Sequence, residues 1–140
     1  MPYLYEYRIF ISHAWKYGED YHRLVRLLDN APLFHYTNYS APEDKPLELS
    51  SVWARRSEIE KKITNKIAPV HAVLVISGMY ANHSDWMKYE IDEAFRMGKP
   101  IIAIQPWGNT AMPGYVRALA TDCVGWNTTS IVNAIRECVK

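Results

Sequence analysis

At 140 residues and 49% hydrophobic, the chain is long enough to bury one sizeable core and too short to split comfortably into two. Its formal net charge of +1, with acids and bases interleaved, leaves no electrostatic footprint for a nucleic-acid polymer or an anionic membrane. One domain over residues 1–140, with no nucleic-acid partner, is the expectation. No apolar run is long enough to span a bilayer, and MPYLYEYRIF lacks a basic segment, an apolar segment and a cleavage site in succession. A cytoplasmic protein without a membrane partner is therefore expected. Cys123 and Cys138 lie far apart in apolar stretches, a pattern that suits reduced core or near-core thiols rather than a disulfide framework or a zinc site.

In chain order, short β-rich runs alternate with helical patterns. Tyr7 to Ser12 (YRIFIS) reads as a strand, and Asp20 to Asn30 as a helix with Tyr21, Leu24, Val25 and Leu28 on one face. Leu33 to Tyr39 is a weaker, more polar strand, followed by the Pro-rich stretch APEDKPLEL. Ser50 or Ser51 is placed to cap a long helix through Ile67, with Val52, Ile59, Ile63 and Ile67 as its buried stripe. His71 to Ser77 and Lys99 to Gln105 are nearly continuous apolar runs, the signature of strands covered on both faces. Asp122 to Trp126 is a short fifth strand, and a last helix begins at Thr128, led by Ile131, Ile135 and Val139.

Between the two apolar strands lies SDWMKYEIDEAFRMGKP, residues 84–100. Ser84 is placed to cap a helix, Gly98 to end it, and Pro100 cannot continue it. Met87, Ile91, Ala94 and Phe95 recur at three-and-four spacing as an apolar stripe, with Lys88, Asp92 and Arg96 on the opposite face. Glu90 falls on the shoulder of the stripe, three residues from Met87 and four from Trp86 and Ala94. A boundary glutamate usually reaches solvent and pairs with a base; at the mouth of a cleft it is instead a partly desolvated carboxylate available to a ligand. Glu93, by contrast, is expected to turn away from Met87 and Ile91, so that Glu93→Gln changes little.

The alternation predicts an α/β fold: a flavodoxin-like three-layer sandwich with a five-stranded parallel sheet in the order 2-1-3-4-5. Ligands of such sheets bind beyond the carboxyl ends of the strands, at the switch point between the first and third. The residues expected there are Ser12 to Trp15, Asn38 to Ser40 and Ser77 to Tyr80, and Glu90 enters the helix that follows the third strand. This placement raises the functional reading of Glu90.

RIFISHAW, HAVLVIS and above all SDWMKYEIDEAFRMGKPIIAI resemble Toll/interleukin-receptor (TIR) domains, specifically the compact bacterial TIR-like proteins of the Thoeris anti-phage system. The W-x-x-Y-E-I segment followed by G-K-P-I-I-x-I is the most specific part, and the resemblance covers nearly the whole chain. APEDKPLEL lacks the Arg-Asp-Pro-Gly box of receptor TIR domains, so no receptor-style contacts are implied. The resemblance implies the same fold, a catalytic role for Glu90, and NAD as a substrate rather than a cofactor, no other cofactor being needed. It also implies a cyclic ADP-ribose-type signal read by a separate effector protein, and a site completed in a homo-oligomer. Around Glu90 the substrate-binding candidates are Phe10, Ser12, His13, Trp15, Tyr39, Ser40, Ser77 and Trp86: aromatic rings for stacking, hydroxyls and imidazole for ribose or phosphate. For Phe10 the competing role is core packing, for Ser12 and His13 strand termination, and for Tyr39 and Ser40 an ordinary turn. Trp15, Tyr39, Tyr80, Trp86 and Tyr89 are expected to line the crevice and exclude water.

Other chemistries lack their residues. His22, His35, His71 and His83 fit no zinc spacing, so no metal is expected. No G-x-S-x-G elbow, P-loop or G-x-G-x-x-G turn is present. Three classes remain: an NAD-consuming enzyme of antiviral defence, a non-catalytic TIR-like assembly module, and a nucleoside N-glycosidase or deoxyribosyltransferase.

Overall fold

The computed structural model describes residues 6–12, 18–39, 56–76, 84–105 and 114–139, without the side chains of 18–20, 56–59, 84–87 and 115. In chain order the elements are β1 (Glu6–Ser12), α1 (Gly18–Asp29), β2 (His35–Asn38), α2 (Arg56–Ile67), β3 (Ala72–Ile76), α3 (Ser84–Arg96), β4 (Ile101–Gln105), α4 (Gly114–Leu119), β5 (Asp122–Gly125) and α5 (Thr128–Cys138). All strand pairs are parallel and the order is β2-β1-β3-β4-β5, as the alternation predicts. Helix α1 packs with α5, while α2 packs with α3 and α3 with α4, so the sheet is covered on both sides.

The apolar runs explain the centre. Every residue of β3 (AVLVI) is buried, and so are Ile101 to Ile104 of β4, because each face of these strands meets a helix layer. Ile9, Phe10 and Ile11 continue this core across β1. Leu24 and Leu28 close it from α1, Ile67 from α2, Ile91 and Ala94 from α3, Ile131 and Ile135 from α5. Asn127 caps α5, its side-chain oxygen accepting from the Ser130 amide at 2.9 Å.

Several expected boundaries shift for local reasons. β2 begins at His35 because Leu33, directly after Pro32, takes the left-handed conformation (φ 57°), which no strand accommodates. β4 begins at Ile101 because Lys99 still belongs to the end of α3. There Gly98 (φ 72°) lets its own amide reach the Phe95 carbonyl (3.1 Å) and the Lys99 amide reach the Ala94 carbonyl (2.9 Å). α4 carries no sequence signal, since six residues are too few for an apolar period to repeat. Cys123 is exposed rather than near-core, because edge strand β5 is covered incompletely; Cys138 is partly buried against the core. Phe95 is 57% exposed rather than part of the stripe.

At the amino ends of the strands, His71 is tied into the backbone. The Arg8 amide donates to His71 Nδ1 at 2.9 Å, the Arg8 side chain donates to the Pro69 carbonyl at 2.6 Å, and the Tyr7 ring lies edge-on to the imidazole. Burial first, then the charges of Arg8 and Lys99, hold the His71 pKa below its usual value. Protonation at Nδ1 also removes the acceptor that the Arg8 amide uses. The folded chain therefore binds this proton less readily than the unfolded one. The stability that neutral His71 contributes is complete above about pH 6.5 and declines as pH falls below it. Urea unfolding at pH 7.5 and 5.5 is expected to show a steeper acid loss in the native sequence than in His71→Asn, whose amide oxygen still accepts but does not titrate. Equal acid losses in the two proteins would remove His71 from this account.

Candidate active site

Parallel register decides which residues reach the switch point. β1 pairs with β2 only as far as Ile9 opposite Asn38, but with β3 as far as Ser12 opposite Val75. Ser12 thus stands three residues, about 10 Å, beyond the end of its β2 pairing. The Tyr39 amide still donates to the Ile9 carbonyl at 2.8 Å, and the Tyr39 ring is half-buried against the core. Below it, Asn38 Nδ2 donates to Tyr21 Oη at 2.7 Å, tying the end of β2 to the first turns of α1.

Glu90 meets Ser12 at this end of β1. The Ser12 hydroxyl donates to Glu90 Oε1 at 2.7 Å, and both residues are 0% exposed. They are the two buried polar residues among those described. The carboxylate is thus more deeply desolvated than a place on the shoulder of the stripe implies. Helical geometry gives the reason. Successive residues turn about 100°, which places Glu90, Ala94 and Ile91 on one arc and swings Phe95 past its far edge. The structure buries that arc completely, so the helix is rolled toward Glu90 and away from Phe95.

The opposite flank of Glu90 faces α2. Tyr89 Oη and Thr64 Oγ1 are 2.9 Å apart, Thr64 Oγ1 donates to Glu93 Oε1 at 3.0 Å, and Tyr89 Oη donates to the Glu60 carbonyl at 3.3 Å. Arg96 donates to both oxygens of Glu93, at 2.6 and 3.1 Å. The Arg96 hydrogen bond, aided by that from Thr64, holds Glu93 below the usual carboxylate range against a desolvation that pushes it up. Two expectations are corrected here. Glu93 does turn away from Ile91, but toward Thr64 of α2, with its side chain 13% exposed, so Glu93→Gln is no neutral change. Tyr89 directs its hydroxyl to α2 instead of a crevice lining. The expected wet face does hold Lys88 and Asp92, which form an exposed ion pair at 3.2 Å.

Of the other candidates, Phe10 is buried in the core two residues before Ser12, on the same face of β1 by strand alternation. His13, Trp15, Ser40 and Ser77 lie outside the described residues, as does the side chain of Trp86. No cluster of His, Cys, Asp and Glu among the described residues is arranged to hold a metal. Reasoning from sequence named both Ser12 and Glu90 but not the bond between them, and it missed Thr64. A threonine among polar residues on a helix carries no local signal; only the packing of α2 on α3 reveals it.

The model of the Thoeris protein ThsB TIR-like domain matches residues 10–111, well over half of the chain, including Ser12 and Glu90. The chain belongs to the ThsB TIR-like family. None of the curated protein sequences matches it. Solved structures similar to this ThsB TIR-like domain include a 2-deoxyribosyltransferase from Bacillus psychrosaccharolyticus (TM-score 0.65, 13% identity, 90% of each chain covered). A conserved protein from Enterococcus faecalis V583 (TM-score 0.67, 12% identity) covers 95% of this chain and 99% of its own. The CMP N-glycosidase of Clostridium botulinum (TM-score 0.54, 15% identity) covers 93% and 98%. At these identities the likeness is one of fold. Among the described residues of the ThsB TIR-like domain, no helix is long and apolar enough to cross a membrane.

Proposed function

We propose that this Thoeris defence domain consumes NAD, breaking the bond between nicotinamide and ribose, with Glu90 as the carboxylate that stabilises the ribosyl cation. The observation that carries the reading is a buried carboxylate held by Ser12 at the carboxyl end of β1, the crevice end of a parallel sheet. Nicotinamide in NAD is already cationic. As the C1′–N bond breaks, its electron pair returns to the pyridine ring, so the leaving group needs no general acid. What develops is positive charge on the ribose, and a fixed anion in a dry site opposes it strongly. Attack at C1′ by water gives ADP-ribose. Attack by a hydroxyl or ring nitrogen of the same molecule, with loss of a proton, gives a cyclic product of the same mass less one water. An intramolecular nucleophile has an effective concentration on the order of 10⁵ M or more when water is excluded. The cyclic product, acting as a signal for a separate effector, is the outcome this reading favours, in a site completed by a second copy of the chain.

Incubating pure protein with NAD over a range of protein concentrations, with products resolved by mass spectrometry, tests each part. Specific activity is expected to rise with concentration, and the main product to have the mass of ADP-ribose less one water. Linear ADP-ribose as nearly the sole product would make the domain a depleting hydrolase. The second reading, cleavage of a nucleoside or nucleotide base, draws support from the folds of the deoxyribosyltransferase and the CMP N-glycosidase. Turnover of CMP or deoxynucleosides with NAD left intact would favour it.

A further inference from the structure

We infer that the polar contact between α2 and α3, centred on Thr64, is a positioning device that sets the roll of the Glu90 helix; the inference rests on the proposed role of Glu90. Thr64 stands on α2, and Tyr89 and Glu93, four residues apart, form one ridge of α3. The order of donation follows from charge. Glu93 is ionised and accepts from the Thr64 hydroxyl, so Thr64 Oγ1 can only accept from Tyr89, whose one O–H is shared between Thr64 Oγ1 at 2.9 Å and the Glu60 carbonyl at 3.3 Å; Arg96 holds Glu93 from the other side. The chain Tyr89 to Thr64 to Glu93 is polarised in one direction and crosses between the two helices twice.

Glu90 lies about 60° around the helix from Glu93 and about 100° from Tyr89. Any roll of α3 that moves these two side chains therefore moves Glu90 with them. At the outer radius of a helix, roughly 5.5 Å, a 10° roll displaces a side chain by about 1 Å. The apolar arc, with Ile91 and the small Ala94 fully buried, restrains roll only through van der Waals contacts, which are not directional. Hydrogen bonds of 2.9 and 3.0 Å are directional, and a 1 Å displacement breaks them. The same 1 Å separates a carboxylate aligned on Ser12 and a reacting carbon from one that is not, a misplacement that costs on the order of a hundredfold in rate. Thr64, Tyr89 and Glu93 act on the reaction only through Glu90.

Thr64→Val keeps the shape and removes the hydroxyl; Thr64→Ser keeps the hydroxyl. Thr64→Val is expected to lower kcat for NAD consumption about tenfold or more, with KM within about twofold, and Thr64→Ser to restore at least half of the rate. A separate arm needs no turnover. In protein labelled with ¹³C at the glutamate carboxyls, with Glu90→Gln used to assign the signal, Glu90 is expected to give one sharp resonance in the native sequence and in Thr64→Ser. In Thr64→Val it is expected to be shifted or broadened. An unchanged Glu90 resonance in folded Thr64→Val, or wild-type kcat in that variant where Glu90→Gln is inactive, overturns the inference. If the native protein consumes no NAD but the resonance moves as described, the inferred coupling stands and the proposed activity fails.

Discussion

Glu90→Gln is expected to abolish NAD consumption, lowering kcat by on the order of a hundredfold or more while leaving the fold intact. The substitution keeps the side chain's size and its carbonyl oxygen, so the Ser12 hydroxyl retains an acceptor in the place of Oε1. It deletes the charge that opposes the ribosyl cation. The loss should therefore appear in kcat, since nicotinamide and adenine binding do not depend on that charge to the same degree. Stability should change by no more than about 3 kcal/mol, because the Ser12 bond is kept while the new amide N–H groups enter a site with no solvent exposure. Asp92→Asn on the same helix is the appropriate control. Its partner is the exposed Lys88, and surface pairs of this kind contribute about 0–1 kcal/mol. NAD turnover within a few-fold of wild type in Glu90→Gln, measured beside unaltered turnover in Asp92→Asn, would remove Glu90 from the chemistry. A comparable loss in both variants would point to a helix-wide effect instead.

Much of the fold was legible because its signals are local and redundant. β3 and β4 are buried on both faces and so read as continuous apolar runs, and the ending of α3 is written in Gly98 and Pro100. Strand order followed from alternation and handedness without any knowledge of contacts. What was not legible needs three-dimensional information. Periodicity marks an apolar stripe but leaves its centre uncertain by one ridge, and that margin is what exchanged Phe95 for Glu90 in the buried arc. A polar residue that pairs with a distant partner looks like any other polar residue in sequence, which is why neither Thr64 nor the bond that makes Glu93→Gln consequential is legible there. Leu33 is a third case. Leucine in a strand-like run gives no hint of a left-handed backbone, and only the turn around Pro32 requires it. Glu90 stands out because its place breaks a pattern, whereas Ser12 stands where many strands end in a serine.

Ser12→Ala is expected to cost about 1.5–3 kcal/mol of stability, the range for a hydrogen bond to a charged group, and at least a tenfold loss of NAD turnover. Few atoms change and no cavity larger than a hydroxyl opens. The cost arises because Glu90, with no solvent exposure, loses the 2.7 Å donor on one of its oxygens. A double-mutant cycle separates this from generic damage to β1. In the Glu90→Gln background the acceptor is neutral, and the bond to Ser12 is then worth about 0.5–1.5 kcal/mol. Ser12→Ala should accordingly cost about 1 kcal/mol less in that background than in the native one, a coupling well outside the roughly 0.3–0.5 kcal/mol within which independent sites add. Urea unfolding of the four proteins at one pH supplies the numbers. Equal costs in both backgrounds would show that the hydroxyl serves the strand rather than the carboxylate. A coupling of about 1 kcal/mol together with the loss of turnover would identify Ser12 as the residue that keeps a buried charge aligned at the end of β1.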